Sequence, residues 1–214
     1  MKINSINNKI CHSFLRLPDK TQKSNTLSLY AQDYVSDPHI GYSLNKSLRS
    51  FKPISSSEYK TMKELDSLFF AQSSKAEHPV KVYRGINFAT LNKDDVLFNE
   101  FKDLLEGKTY FKTYTDRGFA STTTEFEVAK RFAGRNGVVL EINLPAGADY
   151  LDIEKVFKNS NCKDDFALNE HEYLLPRNSK FLLTSPVNRN GVAKVEYLEE
   201  VFPKEEPRVD VGKY

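Results

Sequence analysis

The sequence predicts an α+β domain in which a group of helices comes first and a group of strands follows. Apolar residues recur at helical spacing over the first ~75 residues, whereas alternating and threonine-rich segments take over from Val80 onward. No linker and no internal repeat separates the two parts. We therefore expect one folded unit with its helices gathered at the front.

Three amphipathic helices are predicted in the first part, which covers about residues 27–75. The first ends at Pro38, the second is interrupted at Pro53, and the third begins after the capping serines at 55–57. Their buried faces are defined by Leu27, Tyr30, Ala31, Tyr34 and Val35, then by Ile40, Leu44 and Leu48, and then by Tyr59, Met62, Leu65, Leu68 and Phe69. These segments form a predicted helical lobe.

The second part, at about residues 79–202, is predicted to be mainly β-structure. Its segments are short, alternate in polarity and are rich in threonine and aromatic residues, as is typical of strands. The predicted strands are residues 80–86, 109–115, 118–124, 138–143, 180–184 and 193–202, and the predicted helices are residues 96–105 and 125–132.

Length and composition are those of an ordinary soluble domain, with 214 residues of which 39% are hydrophobic and 28% charged. A net charge of +2 is too small to indicate a nucleic-acid or anionic membrane surface. No apolar run approaches the ~20 residues that span a bilayer. We therefore expect neither nucleic acid nor a membrane as a partner.

A metal site is not expected either. Cys11 and Cys162 lie far apart, and His12, His39 and His78 form no ligand spacing with any acid or cysteine. We interpret both cysteines as free thiols.

The two ends of the chain differ from the middle. Residues 1–26 are rich in Asn, Ser and Thr, which is typical of a disordered leader, and they lack the apolar segment of a secretory signal. Residues 203–214 are charged and are expected to form a loose tail.

Two motifs in the predicted strands could bind an anionic ligand. Arg84 can hold a phosphate through two parallel hydrogen bonds, and Gly85 beside it would let a ligand approach the backbone. In the Ser-Thr-Thr-Thr run, alternation directs Ser121 and Thr123 to one face of the strand. Taken singly, each motif also fits an ordinary strand.

A third motif brings two carboxylates together. Glu170 and Glu172 flank His171, and in an extended segment they would share a face roughly 7 Å apart, given ~3.3 Å per residue. His171 would then face the other way, as a structural or exposed residue. By itself this pattern also fits two solvated acids at a strand end.

In combination and in this order, the motifs resemble those of the arginine–serine–glutamate class of mono-ADP-ribosyltransferases. They are Arg84-Gly, the sequence Phe-Ala-Ser121-Thr-Thr, and Glu170-His-Glu172-Tyr-Leu-Leu-Pro-Arg. That class includes bacterial toxins and injected effectors, phage-encoded transferases and vertebrate ecto-enzymes. The resemblance covers about residues 27–202 and implies a helical lobe followed by a split β-sandwich, with NAD as co-substrate.

The resemblance also implies NAD-binding roles for individual residues. Arg84 would hold the phosphate and ribose, and Ser121 would support the catalytic glutamate, with Thr123 in place of the last serine of the family's Ser-Thr-Ser motif. Phe132 and Arg135 resemble the aromatic residue and the arginine of the loop that contacts nicotinamide and phosphate.

Three further positions follow from the same resemblance. Gly85 would lie beside the cofactor, and Tyr34 resembles a tyrosine of the helical lobe that lines the cofactor cleft. Gly118 stands where some relatives carry an asparagine, so that contact would be missing or supplied by the backbone.

The two acids receive different roles. Glu172 matches the family's catalytic glutamate, which binds the ribose 2′-hydroxyl and stabilises the cationic sugar; we expect the hydroxyls of Ser121 and Thr123 to keep it ionised. Glu170 would orient an acceptor arginine and take up its proton. The segment 159–169 would recognise the protein substrate through Phe166.

The predicted function is therefore NAD-dependent mono-ADP-ribosylation of a protein arginine by a monomeric bacterial effector or toxin. An NAD glycohydrolase, a phage-encoded transferase that modifies bacterial proteins and a non-catalytic binding module of the same fold are the alternatives. We expect delivery by a dedicated secretion system into a host or target cell, or otherwise a cytoplasmic location.

Overall fold

The computed structural model describes residues 34, 37–89, 103, 112–159, 170–200 and 206–210. The described helices are α1 (Pro38–Arg49), α2 (Ser56–Gln72), α3 (Phe126–Ala133) and α4 (Ile153–Asn159). The strands before α3 are β1 (Ile54–Ser55), β2 (Ser74–Lys75), β3 (Val80–Ile86), β4 (Lys112–Asp116) and β5 (Ala120–Thr123). Those after it are β6 (Val138–Leu144), β7 (Asp149–Asp152), β8 (Glu172–Leu175), β9 (Ser179–Leu183), β10 (Val192–Glu200) and β11 (Val209–Asp210).

Local sequence signals set the ends of α1 and α2. Asp37 caps α1 by accepting a hydrogen bond from the His39 N–H at 2.8 Å, and Pro38 occupies the first turn. Ser55 and Glu58 form a reciprocal capping box at the start of α2. These two helices confirm the second and third helices that the sequence predicts.

Nine strands form one sheet in the order β2-β7-β8-β5-β3-β6-β10-β9-β4. The junction between β5 and β3 is narrow, because it consists of the single residue pair Tyr83–Thr123. By contrast, β3 and β6 are paired over seven residues, from Val80–Leu144 to Ile86–Val138. The sheet therefore divides into two halves, which we call the β5 half (β2, β7, β8, β5) and the β3 half (β3, β6, β10, β9, β4).

Apolar side chains from both halves share one core. Val82, Leu140 and Phe181 of the β3 half belong to the same buried cluster as Ala120 and Leu175 of the β5 half. This packing of two half-sheets confirms the predicted α+β fold with its split sandwich.

The helical lobe packs on the other face of the β5 half. Leu44, Met62 and Leu65 of α1 and α2 form a second buried cluster that includes Leu151 and Leu174 of β7 and β8. Leu174 and Leu175 thus point to opposite sides of β8, as strand alternation requires. The site described below lies where α1 contacts the end of β4 and the residues before β5.

The C-terminal segment differs from the predicted loose tail. Within residues 203–214, the described part 206–210 forms β11, which pairs in parallel with β1, and the Ile54 N–H donates to the Arg208 carbonyl at 2.8 Å. Glu206 also lies 2.8 Å from the Lys63 Nζ of α2. Charged residues can pack in this way because their partners are themselves charged and lie on the helical lobe.

Several predicted segments lie outside the described residues: the leader 1–26, the helix at 96–105, and the first helix apart from Tyr34. The elements that were not predicted from the sequence include β7 and α4, whose residues show no clear periodicity, and the two-residue strands β1, β2 and β11. None of the described helices is long and apolar enough to cross a membrane.

Candidate active site

Strands β5 and β8 bring three of the predicted site residues together. In their antiparallel register Thr123 pairs with Glu172 and Ser121 pairs with Leu174. Residues directly opposite each other in such a pair point to the same face, so Ser121, Thr123 and Glu172 share the face that meets the helical lobe. The alternation predicted for the threonine run is therefore present.

The Glu172 carboxyl has an unusual protonation equilibrium. Burial raises its pKa to about 7, and the Glu170 carboxylate adds to this rise, whereas a hydrogen bond with the Ser121 side chain and the charge of Arg84 lower the pKa. The predicted effect of the Ser121 hydroxyl is present, but burial outweighs it. Near neutral pH the unliganded protein therefore holds Glu172 in both protonation states.

The segment before β8 is a turn rather than the extended strand that the sequence analysis assumed. His171 has φ 46°, and its Nδ1 atom lies 3.5 Å from a Glu154 carboxylate oxygen. Thr123 stabilises this turn by donating its hydroxyl proton to the Glu170 carbonyl at 2.7 Å. From the sequence we expected the Thr123 hydroxyl to donate to the Glu172 carboxylate. It donates to the Glu170 carbonyl instead.

Arg84 lies on the inner face of β3 and belongs to a buried ion cluster. Its Nη2 atom is 3.1 Å from Oδ2 of Asp116 at the end of β4. Arg49 of α1 binds the same carboxylate through Nε–Oδ1 at 2.7 Å and Nη2–Oδ2 at 3.1 Å. Burial lowers the pKa of Arg84, whereas the negative charge of Asp116 raises it. Arg84 Nη1 is buried and has no hydrogen-bond partner among the described residues.

Gly85 has a different role from the predicted one. A Cβ atom at this position would lie 2.1 Å from the Ala129 carbonyl oxygen and 2.6 Å from the Ala133 nitrogen. Glycine is therefore required because α3 packs against β3, on the side opposite to the Arg84 side chain. The close approach that the sequence indicates is made by this helix.

Phe132 and Arg135 lie at the C-terminal end of α3 and in the turn after it. Phe132 is 51% exposed, and Arg135 is exposed as well. An aromatic side chain in this position is accessible to a ligand, but its role remains a prediction. Phe166, the predicted substrate-recognition residue, lies outside the described part of the chain, as does most of the segment 159–169.

Tyr34 lies close to both Arg84 and Glu172. Its pKa is raised by burial and by the nearby Glu172 carboxylate, and lowered by a hydrogen bond with Asn45 and by the charges of Arg49 and Arg84. The Tyr34 hydroxyl accepts a hydrogen bond from Asn45 Nδ2 at 2.8 Å. The structure thus brings Tyr34, Arg84, Ser121, Glu170 and Glu172 into one electrostatically coupled site.

Three further residues of this site, Asn45, Arg49 and Asp116, were not predicted from the sequence. Asn45 fills the space above Gly118, where a Cβ atom would lie 2.6 Å from its Oδ1 atom, and it accepts the Phe119 N–H at 2.8 Å. Asn45 and Arg49 are four residues apart on the face of α1 that also carries Leu44 and Leu48. Polar residues on an apolar helix face were the signal that could have revealed them.

No group of His, Cys, Asp and Glu side chains among the described residues could hold a metal ion. The polar groups of the cleft are instead guanidinium, hydroxyl and carboxylate groups. Such a set can bind an anionic ligand at Arg84 and stabilise positive charge at Glu172.

Comparison with known proteins agrees with this arrangement. Residues 7–202 match the model of the ADP-ribosyltransferase exoenzyme family. The chain belongs to this family. Its enzyme class is therefore that of the ADP-ribosyltransferases, as the sequence motifs predict. A search of curated protein sequences finds no match.

Solved structures of bacterial ADP-ribosyltransferases share the fold. C3stau2 from S. aureus with NAD is 18% identical, with a TM-score of 0.60 over 84% of this chain and 89% of that one. The Clostridium limosum C3 exoenzyme is 16% identical, with a TM-score of 0.59 over 82% and 88%. Plx2a, an ADP-ribosyltransferase toxin from Paenibacillus larvae, is 18% identical, with a TM-score of 0.57 over 81% and 88%.

Proposed function

We propose that the protein transfers ADP-ribose from NAD to an arginine of a target protein and releases nicotinamide. The observation that carries this proposal is the position of Glu172, whose pKa responds to the Ser121 hydroxyl, the Glu170 carboxylate and the Arg84 guanidinium. A carboxylate, an arginine and a hydroxyl thus converge where an anionic substrate with a reactive sugar could bind. Family membership and the NAD present in the related C3stau2 structure support NAD as that substrate.

The proposed reaction begins with cleavage of the bond between nicotinamide and ribose. Nicotinamide leaves with the bonding electrons, and positive charge develops on the ribose. An ionised Glu172 stabilises this charge, while Arg84 holds the phosphates of NAD. Because NAD carries a positive charge on its nicotinamide ring, its binding beside Glu172 also favours the ionised carboxylate.

The acceptor is proposed to be arginine because of Glu170. A guanidinium group has only N–H donors, so a carboxylate can orient it through charge-assisted hydrogen bonds. When a guanidinium nitrogen bonds to the ribose, it must lose a proton, and Glu170 can accept that proton. Thr123 supports this role because its hydroxyl holds the Glu170 backbone carbonyl at 2.7 Å.

The experiment measures nicotinamide release and incorporation of labelled ADP-ribose into lysate proteins in the same reaction. Glu172→Gln should lower both signals by more than about tenfold, because the neutral amide cannot stabilise the cationic sugar. Glu77→Gln, a change of an exposed carboxylate before β3, is the matched control and should leave both signals unchanged. No nicotinamide release by the unmodified protein would identify a non-catalytic module instead.

Glu170→Gln separates the transferase from a glycohydrolase. Label incorporation should fall at least about tenfold, while nicotinamide release to water should remain within about threefold, because only the acceptor loses its carboxylate. Mass spectrometry of the labelled proteins then identifies the target and the modified residue. An equal loss of both signals would place Glu170 in NAD cleavage and remove the argument for arginine as acceptor.

The cell in which the protein acts can also be proposed. Solved structures that share the fold include Plx2a, an ADP-ribosyltransferase toxin, and exoenzyme S from Pseudomonas aeruginosa in a complex with a human 14-3-3 protein. We propose a role as a secreted effector or toxin that acts on a protein of another cell.

A further inference from the structure

Asp116 is among the most completely enclosed carboxylates of the described residues, with a side chain that is 2% exposed. It accepts hydrogen bonds from Arg49 Nε at 2.7 Å, from Arg49 Nη2 at 3.1 Å and from the Gly118 N–H at 3.0 Å. Arg84 forms an ion pair with the same carboxylate, with its Nη2 atom 3.1 Å from Oδ2. A single acid therefore links α1, the inner face of β3 and the turn before β5.

The arrangement leaves one part of Arg84 without a protein partner. The Nη2 side of the guanidinium is held by Asp116, whereas the Nη1 atom is buried and has no hydrogen-bond partner among the described residues. A buried donor without an acceptor is unfavourable, so its presence indicates that an outside group supplies the acceptor. Because a guanidinium is planar and rigid, anchoring Nη2 also sets the direction of the Nη1 N–H groups.

The negative charge of Asp116 cannot favour binding of an anionic ligand at Arg84. An acid beside a phosphate site weakens anion binding by Coulomb repulsion. With Arg49 and Arg84, the cluster still carries a formal charge of +1, because the second arginine offsets the acid. What Asp116 contributes is the position of the Arg84 guanidinium.

We propose that Asp116 is a positioning residue that holds Arg84 by Nη2 so that its Nη1 N–H groups meet the diphosphate of NAD. This inference builds on the proposed function, since it takes NAD as the substrate of the cleft. It assigns to Asp116 a role in substrate affinity that is separate from its contribution to folding.

The test uses a substitution for which charge and position predict opposite results. Asp116→Asn removes the negative charge, so an effect of charge alone would tighten NAD binding. If Asp116 positions Arg84, the Kd for NAD should instead rise by about tenfold or more, because the amide pairs less well with two guanidinium groups. Isothermal calorimetry on the folded variant gives the Kd directly. An unchanged or lower Kd would overturn the proposal.

Asp66→Asn is the matched control. Asp66 of α2 holds the 1% exposed Arg177 through Arg177 Nη2–Oδ2 at 2.8 Å and Nε–Oδ1 at 3.1 Å, so it forms a comparable buried ion pair with other elements. This variant should lose stability while its Kd for NAD stays within about twofold of the original value. An equal loss of affinity in both variants would mean that general destabilisation explains the effect, and would also overturn the proposal.

A second variant covers the case in which Asp116→Asn does not fold. Asp116→Glu keeps the charge but moves the carboxylate by one methylene, so the Kd for NAD should again rise by about tenfold; an unchanged Kd would refute the positioning role. The result can be separated from the proposed function itself. If the unmodified protein neither binds NAD nor releases nicotinamide, the proposed function fails; if it does both and the Asp116 variants bind equally well, only the positioning role fails.

Discussion

Asp116 and Glu172 both lie near Arg84 but have opposite electrostatic environments. Asp116 is 2% exposed, accepts hydrogen bonds from Arg49 and from the Gly118 N–H, and forms an ion pair with Arg84. Glu172 has the Ser121 hydroxyl as a partner and another carboxylate, Glu170, as a neighbour, and its pKa is raised to about 7. The protein balances the negative charge of Asp116 with nearby cations, but it does not balance that of Glu172.

The difference shows that one acid of this site serves the native structure, whereas the other is available to a substrate. A buried carboxylate with matched cations contributes to the native structure and is unavailable to a ligand. A buried carboxylate with too few donors destabilises the native structure, and a cationic group of the substrate can supply what is missing. Local electrostatics therefore distinguishes the positioning acid from the candidate catalytic acid in this site.

The largest expected effect is on folding stability. Asp116→Asn should lower the free energy of unfolding by about 3–5 kcal/mol, because it leaves two buried arginines without their shared counter-ion. Glu172→Gln should cause no such loss, because it removes a poorly compensated charge. Urea denaturation of both variants at pH 8 measures the difference. Equal losses in the two variants would show that the two acids are not distinct.

A smaller effect is expected in the pH dependence of catalysis. If ionised Glu172 is required, kcat/KM for nicotinamide release should rise with pH through the free-enzyme pKa of about 7. At pH 6 the value should be about tenfold below its plateau, since one pH unit below a pKa leaves roughly a tenth of the carboxyl ionised. Ser121→Ala should move the midpoint to higher pH. A flat profile between pH 5.5 and pH 8 would contradict the role of Glu172.

A third expected effect is a pH-dependent gain in stability from Glu172→Gln. The native pKa of about 7 lies above the unfolded value near ~4.3, so the native state binds more protons in that window and wild-type stability falls as pH rises through it. The variant lacks this loss. Relative to wild type it should gain about 2–3 kcal/mol of stability between pH 5 and pH 8, given ~1.36 kcal/mol per pKa unit, as denaturant titrations at both pH values can show.

The exposed carboxylate of Glu77 provides the control for that measurement. Glu77→Gln should change stability by less than about 0.5 kcal/mol at either pH, as is usual for surface substitutions. A gain of the same size in both variants would attribute the effect to net charge rather than to the burial of Glu172.

Much of the fold could be predicted from the sequence because local signals and long-range packing agree. Capping residues and apolar spacing predict α1 and α2, and alternating polarity predicts β3 and β6. Residues 206–210 were expected in a loose tail because the segment 203–214 is charged. Their pairing with β1 depends on partners more than a hundred residues away.

The site divides in the same way. The sequence determined which chemical groups are available, since the arginine, serine and glutamate motifs stand out by residue type and order, and strand alternation determined that Ser121 and Thr123 share a face. Only the tertiary structure decided the environment of each group: α3 covers Gly85, a left-handed His171 separates the two glutamates, and Arg49 reaches Asp116 from the helical lobe. Burial and charge pairing depend on residues that are distant in sequence, and for that reason the pKa of Glu172 and the anchoring of Arg84 could not be obtained from local motifs.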